Sequence, residues 1–287
     1  MIAPVTRFAP SPNGLLHAGH ALSAIISHDK AKRSGGRFLV RIEDIDVTRA
    51  RPEFVDAIYE DLTWLGLTWE QPVLVQSQHF PDYLAAADKL VAQGLLYPCF
   101  AIRAEIAAAA AAGLDPDGAP LCPGLWRAAS AESVAERIAA GETPALRLDM
   151  TAALAAVRGK LGDLPLTFAE TSADGEVRTV DAEPERWGDV VIVRKDVPAS
   201  YHLAVVVDDA RQGVTHVTRG EDLFAATGLQ RLLQVLLDLP EPAYTHHHLI
   251  RWSDGRKLSK SKGDMGLRAM RAEGATADGI RQAIGLI

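Results

Sequence analysis

Two stretches of this chain hold residue types and spacings suited to handling phosphate. The first, Arg7 to His20, reads Arg-Phe-Ala-Pro-Ser-Pro-Asn-Gly-Leu-Leu-His-Ala-Gly-His. Two prolines and an Asn-Gly pair break regular structure between Pro10 and Gly14, and Ala18, Leu22, Ile25 and Ile26 then recur at helical spacing. The loop therefore opens into a helix, whose first N–H groups and partial positive charge suit an anion. His17 and His20, three residues apart, fall on one face of the first turn beside that anion. The second stretch runs Asp254-Gly255-Arg256-Lys257-Leu258-Ser259-Lys260-Ser261-Lys262. Alone it would read as a solvated charge run. Paired with the first, it offers mobile ammonium groups and hydroxyl donors of the kind a pyrophosphate leaving group needs.

The elements that must position these loops follow from the flanking pattern. Val5 and its neighbours read as a strand, Gly35-Gly36 ends the first helix, and Phe38 to Ile42 reads as a second strand. That βαβ unit implies a parallel sheet with a ligand crevice at the carboxyl ends of its strands. The second strand runs into Glu43-Asp44-Ile45-Asp46. Asp44 and Asp46 are expected to be solvated, whereas Glu43 at the crevice could hold a substrate ammonium group. Amphipathic spacing predicts helices over Pro52 to Leu67 and Tyr83 to Val91.

From Cys99 to about Trp187 the texture changes to alanine-rich helices and short strands, such as Ala145 to Leu148 and Leu166 to Phe168. Apolar runs at Val190 to Val193 and Leu203 to Val207 then read as buried parallel strands. Arg219-Gly220-Glu221-Asp222 precedes a leucine-rich helix, with Asp222 as the expected N-cap. The fold class is α/β: a Rossmann-type parallel-sheet catalytic domain interrupted by a smaller α+β insertion, with a short C-terminal helical segment. The expected units are 1–98 and 188–250 for the two halves of the catalytic domain, 99–187 for the insertion, and 251–287 for the basic loop and terminal helices.

Composition fits this picture. The 287 residues are 48% hydrophobic and 23% charged, as in an ordinary soluble enzyme, and the net charge of −7 argues against a protein that coats nucleic acid nonspecifically. No apolar run reaches membrane-spanning length and no charged-then-apolar leader follows Met1, so a cytoplasmic protein is expected. His246 to His248 could suggest a metal site, but neighbours on an extended chain point to opposite faces.

With both phosphate elements in view, the chain resembles a class I aminoacyl-tRNA synthetase. His17-Ala18-Gly19-His20 stands for the HIGH signature and Lys257-Leu258-Ser259-Lys260-Ser261 for the KMSKS signature. Arg7 to Pro12, Arg41-Ile42-Glu43-Asp44, Tyr201-His202-Leu203-Ala204 and Arg219-Gly220-Glu221-Asp222 look like the glutamyl branch. Glutamyl-tRNA synthetases carry an anticodon-binding region well beyond KMSKS, and here only Lys262 to Ile287 follow it. The resemblance is therefore to the shortened glutamyl-Q tRNA(Asp) synthetase branch. It implies ATP-dependent activation of L-glutamate and transfer to the queuosine base in the anticodon arm of tRNA(Asp), by a monomer.

The resemblance also implies roles. His17, Gly19, His20, Lys257, Ser259 and Lys260 would meet ATP, with His17, His20, Lys257 and Lys260 catalytic and Mg²⁺ sharing the pyrophosphate charge. Arg7, Ala9, Ser11, Glu43, Tyr201 and Arg219 would surround glutamate. Many relatives hold zinc in the insertion through a Cys-x-Cys pair, a Tyr and a further Cys. Here the pair reads Cys99-Phe100-Ala101, and Gly118 stands four residues before Cys122. Two thiolates leave a tetrahedral site half filled, so no zinc is expected and Cys99 and Cys122 should serve packing.

Overall fold

A sheet of seven strands carries the phosphate loop and its neighbours. The structure, a computed structural model, describes residues 3–109, 113–172, 175–250 and 266–286. Its strands are β1 (Val5–Phe8), β2 (Arg37–Ile42), β3 (Leu74–Val75), β4 (Leu96–Cys99), β5 (Ala145–Leu148), β6 (Thr167–Thr171), β7 (Val177–Asp181), β8 (Val191–Val193), β9 (His216–Gly220) and β10 (Ala243–His247). The helices are α1 (Ala18–Arg33), α2 (Pro52–Trp64), α3 (Phe80–Ala92), α4 (Arg103–Ala109), α5 (Ala131–Ala139), α6 (Met150–Leu161), α7 (Tyr201–Arg211), α8 (Phe224–Leu236), α9 (Leu267–Ala272) and α10 (Ala277–Ala283).

The large sheet runs β3-β2-β1-β9-β10-β6-β7, parallel throughout except for the β6–β7 hairpin at its edge. β1 pairs with β2 from Val5↔Arg37 to Phe8↔Val40, and on its other side meets β9 at Thr6↔His216. Strands from opposite ends of the chain thus lie side by side, with the crevice opening where their carboxyl ends meet. A smaller antiparallel sheet, β4-β5-β8, packs elsewhere. One apolar core gathers α1, α2 and β2 with Leu267, Ile280 and Ile284 of the terminal segment. A second gathers α3, α6, α7 and α8 around Tyr83, Leu148 and Ile192.

Four expectations need correction. Leu203 to Val207 is not a strand but the interior of α7, capped by Ser200, whose hydroxyl accepts from the Leu203 N–H. Leu203, Ala204, Val205 and Val206 are all buried, so no polar face interrupts the run. Val190 to Val193 supplies β8 of the small antiparallel sheet rather than a parallel strand. The strands that complete the parallel sheet are β9 and β10. Leu223, not Asp222, is the N-cap of α8; Asp222 sits in a short 3₁₀ turn before it. Asp44 is not merely solvated, since it accepts from the Ser77 N–H at 2.8 Å and from its hydroxyl at 2.6 Å. Of the small sheet's strands, β5 lies within the 99–187 segment, β4 ends at its first residue and β8 follows it, while β6 and β7 from within it extend the large sheet.

Candidate active site

The N-terminus of α1 is built by the two histidines themselves. His17 is the N-cap, in extended backbone conformation, and its Nδ1 accepts from the Gly19 N–H at 3.1 Å. His20 three residues on returns the favour, its Nδ1 accepting from the His17 N–H at 3.1 Å. This is a capping box made of imidazoles instead of Ser and Glu. It binds both rings by Nδ1, with centroids 3.8 Å apart, which assigns the proton of each neutral ring to Nε2. Gly19 is favoured by closeness rather than by φ: a Cβ there would lie 3.0 Å from Cε1 of His17, and the cap ring would have to give by a few tenths of an ångström.

The loop between β1 and α1 is held by its backbone. The Glu43 N–H donates to the Pro10 carbonyl at 3.1 Å and the Arg51 N–H to the Pro12 carbonyl at 3.0 Å. Beside it lies a buried ion network. Oδ1 of Asp209, on α7, accepts from Nε of Arg7 at 3.0 Å and from Nη1 of Arg41 at 2.7 Å. Arg41, fully buried, also donates to Oε1 of Glu43 from Nη2 at 3.0 Å. Burial works to raise the pKa of Asp209, but Arg7 and Arg41 outweigh it and hold the carboxyl below its usual range. For Glu43 burial wins over the attraction of Arg41, and its pKa is raised.

Arg219, at the carboxyl end of β9, has different company. Its Nε donates to Nε2 of His246 at 3.1 Å, Nη1 to Oε1 of Gln230 at 2.8 Å and Nη2 to the Thr227 hydroxyl at 2.7 Å. The guanidinium also lies 5.4 Å from the centroid of the Tyr244 ring. Arg219 is 5% exposed, yet among the described residues no carboxylate pairs with it.

These groups surround one cavity of about 520 Å³. Its lining brings together Arg7, Ala9, Ser11, His17, Gly19, His20, Glu43, Tyr201 and Arg219, every site residue expected from the sequence that lies within the described residues. Tyr201 reaches it as the first residue of α7. Lys257, Ser259 and Lys260 lie outside the described residues. The cavity also contains Ser23 and Thr218, which the sequence reading passed over, and His247, which it weighed only as a metal ligand. Ser23 and His247 meet at 2.6 Å and join α1 to β10. A second cavity of about 240 Å³ shares Ser11, Asn13, Glu43 and Tyr201 with the first and adds Arg49 and Arg194.

The two cysteines are buried together, with Tyr97, Ala101, Ile106 and Trp126 around them. The two thiols share a hydrogen bond, which pushes the Cys99 pKa up and draws that of Cys122 down. Among the described residues, no three His, Cys, Asp or Glu side chains gather as a metal would require.

Comparison with known proteins fixes the lineage of this arrangement. The profile of the family described as "tRNA synthetases class I (E and Q), catalytic domain" matches residues 4–286. The chain belongs to that family. It is 45% identical over 286 residues to the glutamyl-Q tRNA(Asp) synthetase of Rhodobacter capsulatus, covering 98% of this chain and 100% of the relative. Glutamate–tRNA ligase 2 of Dinoroseobacter shibae is 38% identical over 94% of this chain but only 58% of its own length. Among solved structures, a glutamate tRNA ligase from Elizabethkingia meningosepticum in complex with its amino acid is 26% identical and aligns with a TM-score of 0.71, over 91% of this chain. This class I synthetase chain spans about half, 53%, of that structure. The family implies ATP, glutamate and tRNA as reactants. Among the described residues, no helix is long and apolar enough to cross a membrane.

Proposed function

We propose that the chain activates L-glutamate with ATP and transfers it to the queuosine base at the wobble position of tRNA(Asp). The observation that carries the amino-acid half is Arg219: a buried guanidinium held by neutral partners, lining a cavity. A buried charge is costly when unpaired, and a carboxylate ligand offsets that cost. Arg7, already paired with Asp209, lies across the same cavity, so the two arginines are available to two carboxylates. Glu43 would take the α-ammonium group, which draws its raised pKa back down, and Tyr201 would add a hydroxyl. The acceptor half rests on the likeness to relatives named for tRNA(Asp), which match over 100% and 83% of their own length.

In the first step an oxygen of the glutamate α-carboxylate attacks the α-phosphorus of ATP. The new C–O–P bond forms as the Pα–O bond to the β-phosphate breaks, and pyrophosphate leaves with that electron pair. The carboxylate is already ionised near neutral pH, so no general base is needed. Catalysis is then positioning and charge stabilisation. The α1 N-terminus with Nε2 of His17 and His20 would meet the phosphates, and Lys257 and Lys260 the departing pyrophosphate. The acids in the main cavity are Glu43, engaged by Arg41, and Asp222, which build no cage for Mg²⁺; the ion would enter with the ATP phosphates. In the second step a hydroxyl of the modified base would attack the adenylate carbonyl; the ester C–O bond forms as the C–O bond to the phosphate breaks, AMP leaves with that electron pair, and the hydroxyl proton passes to solvent.

Incubation with labelled glutamate, ATP and either queuosine-containing tRNA(Asp) or tRNA(Glu) tests the reading. Label should appear on tRNA(Asp), be absent when the transcript lacks queuosine, and resist removal of the 3′ end. Label on the 3′ end of tRNA(Glu) would establish a synthetase of the longer kind instead, and absent ATP–pyrophosphate exchange would leave only a binding protein.

A further inference from the structure

The run His246-His247-His248 finds no part in the mechanism above, yet two of its members are firmly engaged. His247 accepts from the Ser23 hydroxyl or donates to it through Nε2 at 2.6 Å, and its Nδ1 meets the His248 carbonyl at 2.9 Å. His246 is more constrained. Its Nδ1 lies 2.8 Å from Oε2 of Glu170 on β6, while Oε1 of the same carboxylate accepts from the His246 backbone N–H at 3.2 Å. A carboxylate against Nδ1 requires the proton there, which leaves Nε2 as an acceptor. That atom takes the Arg219 Nε–H at 3.1 Å, and the Thr227 hydroxyl, itself an acceptor from Arg219 Nη2, lies 3.1 Å away.

We propose that Glu170 and His246 are positioning residues for Arg219: the carboxylate fixes the imidazole tautomer, and the imidazole fixes the guanidinium fork that faces the cavity. The proposal rests on Arg219 binding a carboxylate of glutamate. A carboxylate in direct contact would neutralise Arg219 and compete with the substrate; a neutral imidazole between them orients without competing. Glu170 is 3% exposed and, among the described residues, is linked to Arg219 through this ring, which is packed between Phe224 at 5.1 Å and Tyr244 at 6.2 Å. One N–H of Nη1 donates to Gln230 and one of Nη2 to Thr227, and with the Nε–H on His246 the plane of the fork is set from three sides. Burial and the nearby Arg219 keep the His246 pKa below its ordinary value in spite of Glu170, so the ring stays neutral as the relay requires.

The test is ATP–pyrophosphate exchange by the full chain, reading KM for glutamate and for ATP separately. His246→Ala should raise the glutamate KM about tenfold, the size expected for one hydrogen bond to a charged group, and change the ATP KM less than twofold. His246→Gln, which returns an acceptor near the Nε2 position, should recover most of the loss. In an Arg219→Ala background, His246→Ala should add less than twofold, because the residue it serves is gone. An unchanged glutamate KM in His246→Ala, or an equal increase in both backgrounds, overturns the relay while leaving Arg219 in the site. An unchanged glutamate KM in Arg219→Ala overturns the underlying assignment as well. Should His246→Ala not fold, ¹⁵N NMR of the unaltered chain decides: the Nδ1–H tautomer near neutral pH supports the relay, and the Nε2–H tautomer overturns it.

Discussion

Asp209 shows how much the site depends on a residue that touches no reactant in the mechanism. One oxygen, Oδ1, receives both Arg7 and Arg41, and Arg41 in turn holds Glu43. Asp209→Asn keeps the shape but removes the charge, leaving two buried guanidiniums with Glu43 at 3.0 Å and Asp208 at 3.9 Å from Arg41 as the remaining compensation. Breaking a buried pair in this way costs about 3–5 kcal/mol, against about 0.5 kcal/mol for an exposed pair such as Asp46–Arg49. Urea denaturation should therefore separate Asp209→Asn from Asp46→Asn several-fold in lost stability; equal losses would mean that Arg7 and Arg41 do not rely on Asp209. The sign with pH follows from the depressed pKa. The contribution of Asp209 is fully present above its unfolded value and fades as pH falls through the lower folded one. In the sequence, Arg7, Glu43 and Arg219 were legible because they fall in short motifs with little structural reason to be charged. Asp209 and His246 were not, since a support is defined by its partner in another element.

At the scale of elements, the legible parts were those with one wet face. α2 and α3 show their apolar stripes, and the first βαβ unit follows from its Pro-, Asn- and Gly-rich punctuation. α7 failed that test because it is buried on the side and interior positions alike, and Val205, Val206 and their neighbours then look like strand. β9 failed for the opposite reason: its buried positions include the polar Thr218 and Arg219, so the strand lacks an apolar alternation. α2 carries one further cost. Asp61 is 1% exposed, its Oδ2 finds no partner among the described residues, and burial, opposed by Arg268 and Arg271, raises its pKa to about 6. A raised carboxylate opposes folding above its folded pKa, and the penalty disappears below the unfolded value of about 4. Asp61→Asn should thus stabilise the chain by about 1–3 kcal/mol at alkaline pH, the gain shrinking toward zero in acid. Denaturant titrations at two pH values check this, and a gain that does not change with pH would assign the effect to helix propensity instead.

For the whole molecule, the decisive junction is β1 against β9, where segments some 210 residues apart meet. The Val5 N–H donates to the Thr215 hydroxyl at 2.9 Å, and the Thr215 N–H returns to the Val5 carbonyl at 2.9 Å. Two residues further along, β1 presents Arg7, and four further, β9 presents Arg219. The distance between the two arginines is thereby set by the sheet, not by the loops, and a dicarboxylic amino acid bound to both would tie the halves of the sheet together. A ligand at a hundred times its Kd adds about 2.7 kcal/mol of stability, concentrated in whatever must open to release it. Hydrogen exchange with saturating glutamate should therefore slow in β1 and β9 together, with β4, β5 and β8 of the small sheet little changed. Protection confined to β9 would show that Arg7 serves only Asp209, and protection centred on the small sheet would move the amino acid out of the β1–β9 crevice.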